Sequence, residues 1–164
     1  MKRLITLCLL LASPVQAADY FVNANVGVFK SNGFFYDGFQ FDFGGKVGVK
    51  ATRIGDFSHL ALALAVNHTS ANAALATKNT EVMVQPLFTE VSGSHLYFAP
   101  QLGISIVGLA SDSTALFTYG VLAGYAIPLA ERWAIAPEAN LTRYSYLGDA
   151  QTALKFLVGA TYAL

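Results

Sequence analysis

The side chains of this sequence that could take part in chemistry fall into two sets. One is His68 and Ser70, one residue apart, with Glu81 further along the chain. The other is a group of charges, Asp42, Glu81 and Glu138 against Lys46, Lys50 and Lys155. A hydroxyl next to a base can be made nucleophilic. Matched charges inside a fold neutralise one another instead, because an unpaired buried charge is costly. The histidines are scattered, and no carboxylate or cysteine completes a metal-ligand spacing. No metal and no cofactor are expected.

The start of the chain sets the compartment in which these residues work. Met1-Lys2-Arg3 precedes an apolar run from Leu4 to Ala12, then Ser13-Pro14 and Val15-Gln16-Ala17. A charged start, an apolar stretch of roughly 7–15 residues and small residues before the cut define a secretory signal peptide. Residues 1–17 are therefore expected to be removed after Ala17, leaving 18–164 as one domain. The run is too short to span a bilayer, which takes about 20 apolar residues. Cys8 leaves with the peptide, so disulfides and thiolate chemistry are not expected in the mature chain. Losing Lys2 and Arg3 leaves 8 basic against 10 acidic residues. That balance argues against nucleic-acid binding, which usually shows a basic face.

Composition then poses a question. The chain is 54% hydrophobic and only 12% charged, about half the charged fraction of an average soluble domain. Apolar surface on this scale is meant to face something other than water. Helices and closed barrels are the structures that satisfy their backbone in lipid, and periodicity chooses between them. From Phe39 to Ala51 the residues Phe39, Phe41, Phe43, Gly45, Val47, Val49 and Ala51 share one face. Gln40, Asp42, Gly44, Lys46, Gly48 and Lys50 share the other. A strand separates these sets because its side chains alternate with period 2.

The same alternation recurs around Tyr20–Phe29, His59–Asn67, Glu81–Thr89, Leu96–Ile106, Thr118–Ile127, Trp133–Thr142 and Leu154–Leu164. The expected fold is all-β, an eight-stranded antiparallel up-and-down transmembrane β-barrel. With the mature N-terminus in the periplasm, the outer loops are Lys30–Gly38, Ser70–Asn79, Gly108–Thr114 and Leu147–Gln151. The inner turns are Thr52–Asp56, Ser92–Ser94 and Pro128–Arg132; in this class of barrel inner turns tend to be short and outer loops longer. Phe34, Phe35, Tyr36, Phe57, Tyr97, Trp133, Tyr144 and Tyr146 fall near strand ends, where aromatic girdles sit.

Two other folds compete. A soluble barrel would turn the polar faces to water, but those faces are rich in Gly and Ala and poor in charge, a weak solvent coat. Small residues instead suit the crowded interior of an eight-stranded barrel. A helical membrane protein finds support in uncharged Ser113–Ala130 with its Gly120 and Gly124 four apart, a helix-pairing spacing. Asp42, Lys46, Lys50 and Glu138 would be costly on lipid-facing helices, and the strand reading prevails.

The closing Gly159-Ala160-Thr161-Tyr162-Ala163-Leu164 resembles the C-terminal signal by which barrels are recognised for outer-membrane assembly, carried here by Gly159, Tyr162 and Leu164. The signal usually has a polar residue two positions before the Gly, where this chain has Leu157, and ends in Phe rather than Leu. Together with Phe117-Thr118-Tyr119-Gly120, Gly124-Tyr125 and Trp133-Ala134-Ile135-Ala136-Pro137-Glu138, the mature chain resembles the opacity-protein/OmpA-type superfamily of small outer-membrane barrels over nearly its full length. The resemblance implies contact with outer-membrane lipid and lipopolysaccharide, and delivery by the barrel assembly machinery. It says little about activity, because one fold hosts many functions.

His68-x-Ser70 followed by a Glu also resembles the catalytic set of lipid A 3-O-deacylases. That resemblance would make Ser70 the nucleophile, His68 its base and Glu81 the acid that orients the base. The family's motif continues directly with Asn near the chain end, whereas Ala71 follows here. The alternation also puts Glu81 on the interior face and His68 on the lipid face. The reading carried forward is non-enzymatic: a structural or surface-interaction barrel whose outer loops meet extracellular partners, Phe34, Phe35 and Tyr36 foremost. A deacylase requires Ser70, and a narrow channel requires the lumen charges. A loop-mediated binder requires neither set.

Overall fold

The computed structural model describes residues 19–32, 37–55, 58–69, 77–109, 112–146 and 149–164. They form β1 (Tyr20–Asn32), β2 (Asp37–Ile54), β3 (Ser58–Thr69), β4 (Thr77–Thr89), β5 (Leu96–Leu109), β6 (Asp112–Tyr125), β7 (Ile127–Ala130), β8 (Trp133–Tyr146) and β9 (Asp149–Ala163). A single 3-10 turn at Val91–Gly93 joins β4 to β5. Every pairing is antiparallel, and from β1 to β6 each strand pairs with its neighbours in sequence. β6 and β7 act as one stave broken at Ala126, both lying against β8. β1 pairs with β9, so eight staves close into a barrel.

Closure assigns the two faces that the alternation had only separated. Val26 is 64% exposed and Phe41 73% exposed, while Asp42 between Phe41 and Phe43 is 1% exposed. The apolar faces point outward all round, and the Gly, Ala and polar faces fill the inside. Inside are two apolar clusters. Phe29, Val107, Leu116, Tyr144 and Ala153 pack towards the end where β1 and β2 connect, called here the distal end. Ala61, Leu87, Tyr97, Leu122 and Ala136 pack towards the proximal end, where the Leu164 amide donates to the Tyr20 carbonyl at 2.9 Å. The inside is narrow enough that Gly124 is matched to a neighbour. A Cβ there would meet the Tyr97 ring.

The strands outrun their periodic signal. β5 reaches Leu109 and β6 starts at Asp112, with Gly108 paired to Ser113, so most of the expected loop Gly108–Thr114 is ladder. β4 likewise begins at Thr77 and β9 at Asp149. Alternation marks only the stretch where one face meets an apolar phase, whereas ladder hydrogen bonds extend wherever two chains remain adjacent. Proline has the converse effect. The β4–β5 register passes from Val84↔Leu102 to Phe88↔Phe98, and Pro86 and Pro100 lie in that gap. Neither has an N–H to give the ladder.

Because the proximal lumen is filled around Gly124, Gly124→Val should overpack it. The expected loss is about 1–3 kcal/mol, read as a lower urea midpoint for barrel unfolding in detergent micelles. An unchanged midpoint would mean that Tyr97 yields freely.

Candidate functional site

Lumen-facing charges are placed by period-2 alternation on four different staves, and closure brings them together across the barrel. Glu81 on β4 and Lys155 on β9 meet at 2.6 Å, and Asp42 on β2 completes the group with Oδ2 at 2.9 Å from the same ammonium. Glu81 is further held by Asn79 Nδ2 at 2.8 Å and by a hydrogen bond from the Tyr144 hydroxyl. Nearer the proximal end, Lys46 on β2 is ion-paired with Glu138 on β8, and the Tyr97 hydroxyl donates to Glu138 at 2.7 Å. All of these charged side chains are buried.

Neutral polar groups tie the layer between the two charged groups. Gln85 donates to Gln101 at 3.0 Å, and Gln101 donates at 3.1 Å to Thr142, the two flanking Gly120 of β6 on its neighbouring staves. Thr118 donates to Ser105 at 2.8 Å. Lys155 lies 5.3 Å from the Phe29 ring centroid, and Lys46 lies 5.8 Å from that of Tyr97. The amide and hydroxyl links run along the inner wall between nearby staves, whereas Glu81–Lys155 and Lys46–Glu138 cross the bore, as expected for a barrel whose interior is just wide enough for side chains to fill it.

Lys50 belongs elsewhere. It was expected in the lumen network, but its position lies beyond Tyr20↔Val49, the last rung of the β1–β2 ladder, and next to a bulge between Lys50 and Thr52. Its side chain emerges at the proximal mouth, 42% exposed, and pairs with Glu90 at 3.3 Å. His59 Nδ1 approaches the other Glu90 oxygen at 3.0 Å. Partial burial would raise the Glu90 pKa, but Lys50 and His59 outweigh it and hold the carboxyl below its ordinary value. Glu90 also takes a left-handed backbone, φ 57°. It was not singled out in the sequence, where it follows the last alternating residue. Lys50 and Glu90 rim a cavity of about 210 Å³ whose deeper wall includes Phe21, Leu87, Tyr97 and the Lys46–Glu138 pair.

The His68–Ser70–Glu81 set is not brought together. His68 lies on the outer face, with Nδ1 3.0 Å from Thr80 Oγ1 and its ring centroid 5.2 Å from that of Phe43. His68 pairs with Thr80 across β3 and β4, and Asn67 pairs with Glu81. Successive side chains point through opposite sides of the wall, so Glu81 faces the lumen, where Lys155, Tyr144 and Asn79 engage it. Ser70 lies outside the described residues.

The aromatic expectations divide. Trp133 is exposed on the outer face and packs on Tyr162, with ring centroids 4.8 Å apart; Tyr20 and Tyr125 are exposed at the same end. Tyr97 and Tyr144, expected in the girdles, turn inward instead, because their registers place them on the lumen face, where their hydroxyls reach the carboxylates. Phe34, Phe35, Tyr36 and Phe57 lie outside the described residues, as does the side chain of Tyr146. Of the assembly-signal residues, Tyr162 and Leu164 complete the proximal end of the closing stave. Gly159 faces Asn23 within the lumen, where a Cβ would meet the amide.

No protein-family model matches this chain. No curated protein matches it either. Solved structures do. The chain is similar to Neisserial surface protein A, with a TM-score of 0.70 and 14% identity over 90% of this chain and 99% of that one. It is also similar to Ail, the attachment invasion locus protein of Yersinia pestis, in complex with the heparin analogue sucrose octasulfate. There the TM-score is 0.52 at 14% identity, covering 90% and 97% of the two chains. The N-terminal β-barrel domain of Pseudomonas aeruginosa OprF scores 0.52 at 14% identity, covering 89% and 100%. At such identity the likeness is one of fold: the chain has the architecture of small outer-membrane barrels.

The two classes of ion pair should respond differently to loss of one partner. Lys155→Met strands two carboxylates in the lumen and should cost about 3–5 kcal/mol of barrel stability. Lys50→Met at the wet mouth should cost under about 1 kcal/mol. Urea unfolding in micelles measures both, and equal losses would contradict the assignment of Lys155 to the interior and Lys50 to the mouth.

Proposed function

We propose that this chain is an outer-membrane protein with a structural or surface-interaction role, in contact with lipopolysaccharide at its outer rim and with extracellular partners through its loops. The observation that carries this reading is the pairing of an apolar outer wall with a bore crossed by ion pairs. Val26, Phe41, Leu102 and Phe156 are all more than half exposed on the outside, a surface suited to hydrocarbon. Lys155–Glu81 and Lys46–Glu138 span the inside, which argues against a narrow channel as the principal role. What remains for recognition is the outer wall and the ends.

The orientation taken here has the mature N-terminus in the periplasm, following the expected signal peptide. It puts the proximal end in the periplasm and the distal end outside the cell. Lys30, Lys78 and Arg143 are then exposed cations on the distal part of the outer wall. Lys30 and Arg143 flank the same stave, at the rungs of Leu154 and Thr152 of β9. Cations at that height suit the phosphates of lipopolysaccharide, since each Lys or Arg near an anionic membrane surface contributes about 1 kcal/mol. The sulfated ligand named with Ail is a further anionic sugar held by a barrel of this architecture. Gly159, Tyr162 and Leu164 would serve recognition by the barrel assembly machinery.

Cell fractionation tests the location. The expected outcome is recovery with the outer membrane and a heat-dependent shift in gel mobility after detergent extraction; recovery as a soluble periplasmic protein would overturn it. For lipopolysaccharide, replacing Lys30 and Arg143 with Gln should weaken binding to the purified barrel by roughly tenfold or more. Binding that is indifferent to both cations would overturn the rim assignment.

The deacylase reading has its own measurement, lipid A mass spectrometry on cells expressing the chain or its Ser70→Ala variant. The expected outcome is unchanged lipid A in both. Loss of one acyl chain with the native protein alone would make it an enzyme.

A further inference from the structure

The two charged groups of the lumen differ in their balance. In the proximal group Lys46 matches Glu138. In the distal group Asp42 and Glu81 share the single ammonium of Lys155, which leaves one negative charge in a buried layer. Glu81 is saturated by Lys155, Tyr144 and Asn79. Asp42 is not: its Oδ2 faces Lys155, and its Oδ1 has no hydrogen-bond donor.

The oxygens next to Asp42 share that condition. Asp42 is paired in register with Thr69, and Thr69 with Asn79. Thr69 Oγ1 and Asn79 Oδ1 have no hydrogen-bond partner, although the two residues are only 1% and 0% exposed. The Nδ2 of Asn79 is engaged by Glu81, which leaves its oxygen as the free acceptor. On the same lumen face, two residues back along β3 and β2, Asn67 Oδ1 and both amide atoms of Gln40, Oε1 and Nε2, are also unpartnered. Buried polar atoms in native proteins almost always have partners, so this concentration of bare oxygens around one excess charge calls for a common one.

We propose that this part of the lumen binds one monovalent alkali cation of sodium's kind, with Asp42 Oδ1, Thr69 Oγ1 and Asn79 Oδ1 as its core ligands. Hard cations take carboxylate, amide and hydroxyl oxygens, and these donors are all of that class. A single positive charge neutralises the distal group, whereas a divalent ion would leave a positive excess beside Lys155. A proton on Asp42 would balance the charge but satisfy one oxygen, leaving Thr69 and Asn79 bare. Water would satisfy oxygens without balancing the charge. The bound cation completes the plug and holds β2, β3 and β4 together.

The test uses the full chain folded in detergent micelles at pH 8 and again at pH 5. Sodium chloride replaces N-methyl-D-glucamine chloride at constant ionic strength, and barrel unfolding is followed by heating. Sodium should raise the midpoint saturably, as a ligand of the folded state does. Asp42→Asn should abolish that rise, and Thr69→Val, which keeps both charge and shape, should raise the half-saturating concentration at least tenfold. Sodium-23 relaxation on the unaltered protein gives a second readout: folded barrel should broaden the resonance saturably, and urea-unfolded barrel should not. Identical midpoints in the two salts, with no excess broadening, would overturn the proposal. So would a sodium effect that survives in Asp42→Asn, which places the ion elsewhere, or a midpoint that responds to pH alone, which makes the proton the neutralising species.

Discussion

A strand whose outer face carries Val26, Phe41 or Phe156 offers its backbone amides and carbonyls to a surface with no water to receive them. Each must then be met by another strand. An open sheet fails this at both edges, and the β1–β9 ladder removes the edges. The first and last staves meet for the same reason, with the Leu164 amide donating to the Tyr20 carbonyl. Where proline breaks the rule, at Pro86 and Pro100, the two interruptions fall in the same gap of the same ladder. A single local break is shared rather than two.

Closure with eight staves also sets the bore. An interior of this width is filled by side chains rather than by a water column, so small residues have to alternate with large ones, as Gly124 does with Tyr97. The same narrowness brings carboxylates and ammonium groups from opposite walls within bonding distance. The ion pairs are therefore a consequence of the barrel's diameter as much as of the residues chosen. In a wider barrel Lys155 and Glu81 would face water separately. Here they must face each other, and tyrosine hydroxyls and amides supply the remaining hydrogen bonds that buried charges require.

A wall one residue thick also separates inside chemistry from outside chemistry. His68 and Glu81 stand on adjacent, paired strands, yet they belong to different compartments, one beside Phe43 on the outer face and the other beside Lys155 in the plug. Proximity along two strands is no guide to cooperation when alternate side chains leave by opposite faces. Recognition on such a scaffold falls to the outer wall and the two ends. The mouth formed by Lys50, Glu90 and His59 shows that an end can assemble charged groups that neither the lumen nor the outer wall contains.

Alternation in the sequence was sufficient to locate the staves and to put Asp42, Lys46, Glu81, Glu138 and Lys155 on the face opposite the apolar one, because period 2 is a local property of extended backbone. It did not reveal how far β5 and β6 continue beyond their apolar faces, since ladder hydrogen bonds depend on a neighbouring chain and leave no periodic trace. Nor did it separate Lys50 from the lumen charges, because a bulge and the end of a ladder break the face assignment without altering the residue pattern. Tyr97 and Tyr144 read as girdle residues by their closeness to strand ends, and their inward turn came from register. Which carboxylate meets which ammonium, and which oxygens are left bare around Asp42, was decided only when distant staves were brought across a narrow bore. Those contacts join residues far apart in the chain, and no local pattern records them.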